Sequence, residues 1–259
     1  FLAIMFIILI VLIIALIKAR GEYNELLEEK TAADKTTRTQ LMIYNLILKY
    51  AVNQGYIEFN PAREISVPKN LPKTKVTMPS DEDIKRVKKS TDCTFGLFPY
   101  FVLYSGLRRT ELLALEWKDV DMKKRLITIN KALEYIGTEP NVKKPKTQKG
   151  VRTIPIPDKL FEKLHKGKGL VFKNKEGSYI REKQFQRLWD KYKEESGVDC
   201  TPHQLRHAFA TMLFENKIDG KDAQYILGHA QISTTMDIYT DIREQQIRKI
   251  NKKLKGLDL

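Results

Sequence analysis

Apolar and polar positions divide this chain into unlike stretches. Phe1 to Ile17 are all apolar, and Lys18 and Arg20 follow directly. Such a run is at the short end for a membrane-crossing helix and too long for the core of a typical signal peptide. Three readings of it stand side by side: a membrane anchor with its basic flank on the cytoplasmic side, a truncated or misassembled reading frame, and a buried helix. Gly21 to Lys35 is polar and helix-forming. From Thr39 to Gln54 the positions Leu41, Ile43, Tyr44, Ile47, Leu48, Ala51 and Val52 recur at helical intervals, with Gly55 as cap. Asn60-Pro61 marks a turn. Residues 67–79 then mix Pro68, Pro72 and Pro79 with lysines and few apolar residues, which predicts an extended linker and a domain boundary.

Beyond the linker the periodicity is mostly helical. Ser80 followed by Asp81, Glu82 and Asp83 reads as an N-cap with an acidic first turn. Phe95 to Trp117 predicts a buried pair of helices broken near Ser105-Gly106. Alternation in 125–129 and in 151–156 predicts two strands, joined through the basic turn Lys143-Lys144-Pro145-Lys146-Thr147-Gln148-Lys149-Gly150. Helices are expected over 158–164, 181–195, 203–216 and 222–227, and from Ser233 onward. The predicted fold class is mainly α (α+β): a helical domain with one small antiparallel sheet, preceded by a smaller helical piece.

Composition narrows the function. With 42% hydrophobic and 30% charged residues in 259, the chain is globular rather than disordered or fibrous. Cys93 and Cys200 stand far apart, which excludes a disulfide framework and a zinc ribbon and suits a reducing cytosol. The formal net charge is +14; residues 1–80 carry +3 of it and the remainder +11. That excess suits a polyanionic partner, nucleic acid or an anionic membrane face, although a lysine-rich surface alone would look the same.

Three of the four histidines, His203, His207 and His229, fall in one short stretch, with His165 apart. His203 and Arg206 lie three residues apart on a predicted helix that Thr201-Pro202 opens. Free backbone N–H groups there already favour an anion, and a histidine and an arginine side by side suit a phosphate. Zinc would want ligands that the spacing does not supply. Taken alone, such a stretch is more often a surface helix start. Leu227-Gly228-His229 and Tyr239 follow downstream, and Ser105-Gly106-Leu107-Arg108-Arg109-Thr110-Glu111 lies upstream. With these blocks in this order, residues 79–245 resemble the tyrosine recombinase (phage integrase) family. Residues 39–61 resemble the last helices of that family's core-binding domain, and before them the resemblance stops.

The resemblance implies a catalytic domain at 80–259, a linker at 67–79, a partial helical core-binding domain at 21–66 and the hydrophobic segment at 1–20. It implies a site-specific DNA recombinase of a prophage or mobile element that cleaves through a 3′-phosphotyrosine intermediate, needing no metal, ATP or other cofactor. Tyr239 matches the nucleophile, and Arg108 and Arg206 the arginines that clamp the phosphate. His203 matches the base or phosphate donor, His229 the second site histidine and Lys146 the general acid, with Lys143, Lys144 and Lys149 as rivals. Glu111 fits the family's acidic position, with a plain helix ion pair as the other reading. Arg109 is expected to face elsewhere, His207 to support the fold and His165 to lie on the surface.

Expected partners are double-stranded DNA, further copies of the chain in a tetramer on synapsed DNA, and an accessory DNA-bending protein. Ile242, Ile247, Ile250, Leu254 and Leu257 form an amphipathic tail that would join the protomers or pack on its own domain. The expected location is cytoplasmic, with or without a membrane tether through residues 1–17. A DNA-binding remnant that occupies recombination sites without completing exchange is the alternative function.

Overall fold

The computed structural model describes residues 34–67, 77–145 and 151–254. The hydrophobic run, most of the linker, Lys146, Lys149 and Leu257 lie outside the described residues, as do the side chains of Ile250 and Leu254. Among the described residues, no helix is long and apolar enough to cross a membrane. The chain divides into two compact units, residues 1–76 and 77–259.

In the first unit, helix α1 (Asp34–Asn53) buries Leu48 and Ala51. Gly55 takes φ of +71°, a left-handed conformation that an L side chain resists, and the Tyr56 amide then returns to the Ala51 carbonyl. Asn60 completes the turn: its side chain donates to Asn45 and accepts from the Ala62 amide. Ile43 and Ile47, two of the predicted helical positions, stay about half exposed.

The second unit opens with α2 (Asp81–Lys89). Ser80 and Asp83 satisfy each other's backbone amides in a capping box, as the acidic first turn foretold. Helix α3 (Leu97–Ser105) is apolar on nearly every side and runs through the core; Phe98, Phe101, Val102 and Leu103 are fully buried. Phe95, Phe98, Phe172, Phe185 and Trp189 form an aromatic cluster against it, with Phe95 stacked on Phe98 at 4.7 Å. Gly106 ends α3 at φ of +64°, and the short helix α4 (Arg109–Leu113) follows.

The strand region is richer than the alternation predicted. Strands β1 (Val120–Asp121), β2 (Leu126–Ile129) and β5 (Arg152–Pro155) form one antiparallel sheet in the order β1-β2-β5, with Ile127 opposite Ile154 and Ile129 opposite Arg152. Between β2 and β5 lies a second antiparallel pair, β3 (Ala132–Ile136) with β4 (Glu139–Lys143). The single predicted sheet is therefore two small ones, while the class stays mainly helical.

The remaining elements are α5 (Asp158–Phe161), α6 (Glu182–Ser196), α7 (Pro202–Glu215), α8 (Gly220–Leu227) and α9 (Ile232–Leu254). Three of them start or end where the sequence provides a device. Gly197 closes α6 at φ of +67°, Thr201 caps α7 with Gln204 in a box, and Asp219 caps α8. Helix α7 packs on α3, and α8 and α9 pack on α7, so the C-terminal ends of α3 and α8 meet near the start of α7.

Candidate active site

Three arginines from distant segments converge on one helix end. The last carbonyls of a helix have no partner within it and form the negative end of its dipole. At the end of α8 three consecutive carbonyls each take a guanidinium. Ile226 accepts from Arg152 Nε at 3.0 Å, Leu227 from Arg206 Nη2 at 2.6 Å and Gly228 from Arg108 Nη2 at 2.6 Å. Arg206 Nη1 donates as well to the carbonyl of Gly106, just past the end of α3, at 2.6 Å. The glycine breaks that the sequence places after α3 and α8 thus free the carbonyls that hold these cations.

Glu111 joins two of the three. Sitting at the third position of α4, it accepts from the Arg108 amide at 2.9 Å and from Arg108 Nη1 at 2.8 Å. Its two oxygens also take Arg152 Nη1 and Nη2, at 3.0 and 2.8 Å. Burial works to raise its pKa, but the Arg152 hydrogen bonds and charge, then Arg108, hold it down at about 2. Burial and the neighbouring Arg108 pull Arg206 down to about 9, which leaves it cationic at neutral pH.

The arginines border an open cavity of about 400 Å³ lined by Arg108, Arg206, His203, His229, Thr110 and Thr234 among others. His203 is on the first turn of α7, and its Nε2 lies 3.0 Å from Nε2 of His207 one turn further on. Burial, then the charges of His203 and Arg206, lower His207 to about 4. His229 follows Gly228, whose φ of +67° turns the chain out of α8, and its Nδ1 is 2.9 Å from Thr235 Oγ1. Burial, then Arg206 and Arg108, lower His229 to about 4, so both rings are neutral at pH 7. Arrangements of this kind bind an anion: two fixed guanidinium groups, two imidazoles and two threonines face the same space.

Of the residues singled out in the sequence, Arg108, Arg206, His203 and His229 come together at this cavity. Tyr239 does not line it. The tyrosine ring is buried in a separate small cluster with Ala223 and Ile242 and meets Phe214 edge-on at 4.9 Å. The Tyr239 hydroxyl donates to the Ile218 carbonyl at 3.3 Å, and burial, then Asp219, pushes its pKa up.

Lys146 lies outside the described residues. Among its rivals, Lys143 is paired with Glu134 at 2.6 Å, Lys144 is exposed and Lys149 is also outside. Arg109 lines the cavity edge but pairs with Glu182 at 2.7 Å and lies over the Phe185 ring, so it is largely turned elsewhere. His165 is exposed. In the tail, Ile242 is buried and Ile247 half exposed.

Two participants escaped the sequence reading. Thr235, fully buried, holds His229. Arg152 reads at first as one more basic residue after a basic turn. Its signal is parity: it shares a strand face with Ile154 and Ile156, both buried, so a charge stands at an inward position.

The phage integrase family model matches residues 82–246 of this chain. A tyrosine recombinase XerC-like protein of Caldanaerobacter subterraneus subsp. tengcongensis is 30% identical over 271 aligned positions, spanning 90% of this chain and 69% of that protein. Tyrosine recombinase XerA of Thermococcus kodakarensis is 32% identical over 209, spanning 74% and 66%. Among solved structures, an integrase of the transposon Tn1549 in complex with transposon right-end DNA has the same fold. It gives a TM-score of 0.66 at 23% identity, covering 90% of this chain and 84% of that one. The chain therefore belongs to the phage integrase family, the DNA strand-transferring tyrosine recombinases.

Proposed function

We propose that this protein is a site-specific DNA recombinase that integrates or excises a mobile element or prophage by way of a 3′-phosphotyrosine intermediate. The observation that carries the reading is the convergence of Arg108, Arg206, His203 and His229 on one open, cationic cavity. Arg108 and Arg206 would hold the non-bridging oxygens of the scissile phosphate and stabilise the charge that grows there in the pentacoordinate transition state. His229 would donate from Nε2 once Thr235 donates to its Nδ1. His203 would accept the tyrosine proton or donate to the phosphate.

Tyr239 attacks phosphorus, the bond from phosphorus to the 5′-oxygen breaks, and Lys146 protonates the leaving oxygen. The covalent link conserves the phosphodiester energy, so a 5′-hydroxyl can reverse the step without ATP. The reaction needs Tyr239 to exchange the Ile218 carbonyl for the phosphate. Near two guanidinium groups its phenol ionises more readily than in its apolar cluster. DNA is the partner this charge distribution suits, with residues 80–259 as the catalytic unit. A tetramer joined through α9, and an accessory bending protein, belong to the same reading.

A nicked duplex of the element's attachment region, incubated with wild type and with Tyr239→Phe, tests it. Wild type alone should give an SDS-resistant protein–DNA adduct, while the variant binds with unchanged affinity. Binding without an adduct in either would instead make the chain a DNA-binding remnant.

A further inference from the structure

Arg152 opens β5, directly after the basic turn, and does not line the cavity. Its side chain is 6% exposed, and its guanidinium is spent on the frame behind the site. One edge forms a two-pronged bond with Glu111, and Nε reaches the Ile226 carbonyl. It also lies flat against Gly228: a Cβ there would come within 2.6 Å of its Cζ and Nη1, closer than real Cβ contacts run. The contacts close a ring. Arg152 holds Glu111, Glu111 holds Arg108, Arg108 holds the Gly228 carbonyl, and the 226–228 run returns to Arg152. His229 continues from that run, and Arg206 is tied to its middle carbonyl.

From this geometry, and resting on the reading of the cavity as a phosphate site, we propose that Arg152 is a positioning residue for strand cleavage: it locks Glu111 and the 226–228 carbonyls so that Arg108 and His229 stay aimed at the phosphate. An arginine fork bonds both oxygens of a carboxylate and, through Nε, a carbonyl at once; a lysine, one compact charge, cannot reproduce that two-pronged geometry. Arg152 thereby also joins the strand leaving the basic turn to the arginine pair.

A bystander ion pair and a positioning residue differ in one readout. The charged groups around Glu111 are Arg108 at the N-cap of α4, Arg152 from β5 and Arg206 from α7, with His229 beyond Gly228. Without Arg152, burial opposes the carboxylate while its strongest partner is gone, so Glu111 begins to titrate nearer neutrality. Protonated, it no longer grips Arg108 as an ion.

The experiment measures single-turnover adduct formation by the full chain on the nicked duplex between about pH 5 and 8.5. It compares wild type, Arg152→Met, Arg152→Lys and the double variant Arg152→Met/Glu111→Gln, each checked for folding by circular dichroism. Arg152→Met should react about 10- to 100-fold more slowly near pH 7, the cost of a misplaced site group, with DNA affinity within about twofold of wild type. Its rate should climb with pH along a limb that wild type lacks, and the double variant should lose that limb. Arg152→Lys, which keeps the charge, should fall between.

A folded Arg152→Met that tracks wild type at every pH overturns the proposal. So does Arg152→Lys at the wild-type rate if the methionine variant fails to fold. No adduct from wild type itself would remove the reading of the cavity, and this inference with it.

Discussion

Arg108 and Arg206 would do the same chemistry but are built into the protein differently. Arg206 is 6% exposed and satisfies two helix-end carbonyls, whereas the Arg108 side chain is 42% exposed and leans on Glu111. Removing a buried charged donor strands its acceptors, and two unpaired carbonyls cost about 2–4 kcal/mol. Arg108 leaves one such carbonyl, that of Gly228, at about 1–2 kcal/mol, while Glu111 keeps its two bonds to Arg152. Arg206→Ala should therefore lose both stability and cleavage, while Arg108→Ala should lose cleavage on the order of 10²-fold with a smaller loss of stability than Arg206→Ala. Urea denaturation beside the adduct assay separates the two effects; equal stability losses would contradict the burial argument. Both arginines were legible because each falls in a block that resembles the family's pattern, near a predicted helix start. Arg152 was not, since its importance lies in Glu111 and Ile226, remote in sequence.

Helix ends, more than helix bodies, make the site. The capping boxes of Ser80 and Thr201 and the left-handed glycines Gly55, Gly106, Gly197 and Gly228 follow local chemistry, which is why helix starts and stops could be foretold closely. Gly106 has two duties: it frees its carbonyl for Arg206, and it lets Phe209 approach. A Cβ at that position would lie 2.3 Å from Phe209 Cδ1, at a backbone φ that L residues resist. Gly106→Ala should destabilise by about 2–4 kcal/mol and slow cleavage as well, because the carbonyl shifts with the chain. A melting temperature within a degree or two of wild type would refute this. The β3–β4 pair escaped prediction for a local reason. Glu139-Pro140-Asn141 has low strand propensity, and the pair is held by tertiary contacts instead: Leu133 in the core, and the Tyr135 hydroxyl on the Ile180 carbonyl.

Across the molecule, burying ionisable groups beside cations links stability to acid. His207 and His229 titrate at about 4 in the folded chain against 6.5 in the unfolded one. Unfolding takes up their protons between those values, so their contribution is complete above about pH 6.5 and is lost as pH falls towards 4. Glu111, at about 2 against 4.5, extends the loss from pH 4.5 down to 2. Denaturation midpoints should drop in two stages on acidification. His207→Asn should flatten the first stage, and an unchanged profile in that variant would exclude His207 as its source. The sequence by itself determined the helices, their caps, the excess positive charge and which residue types could hold a phosphate, because periodicity, capping and charge are local properties. Only the tertiary structure decided that three carbonyls at one helix end would collect three arginines, that Glu111 would be shared between two of them, and that Tyr239 would rest on Ile218 instead of in the cavity. Those outcomes depend on which buried carbonyls, left without helical partners, come within reach of which cations, and packing alone settles that.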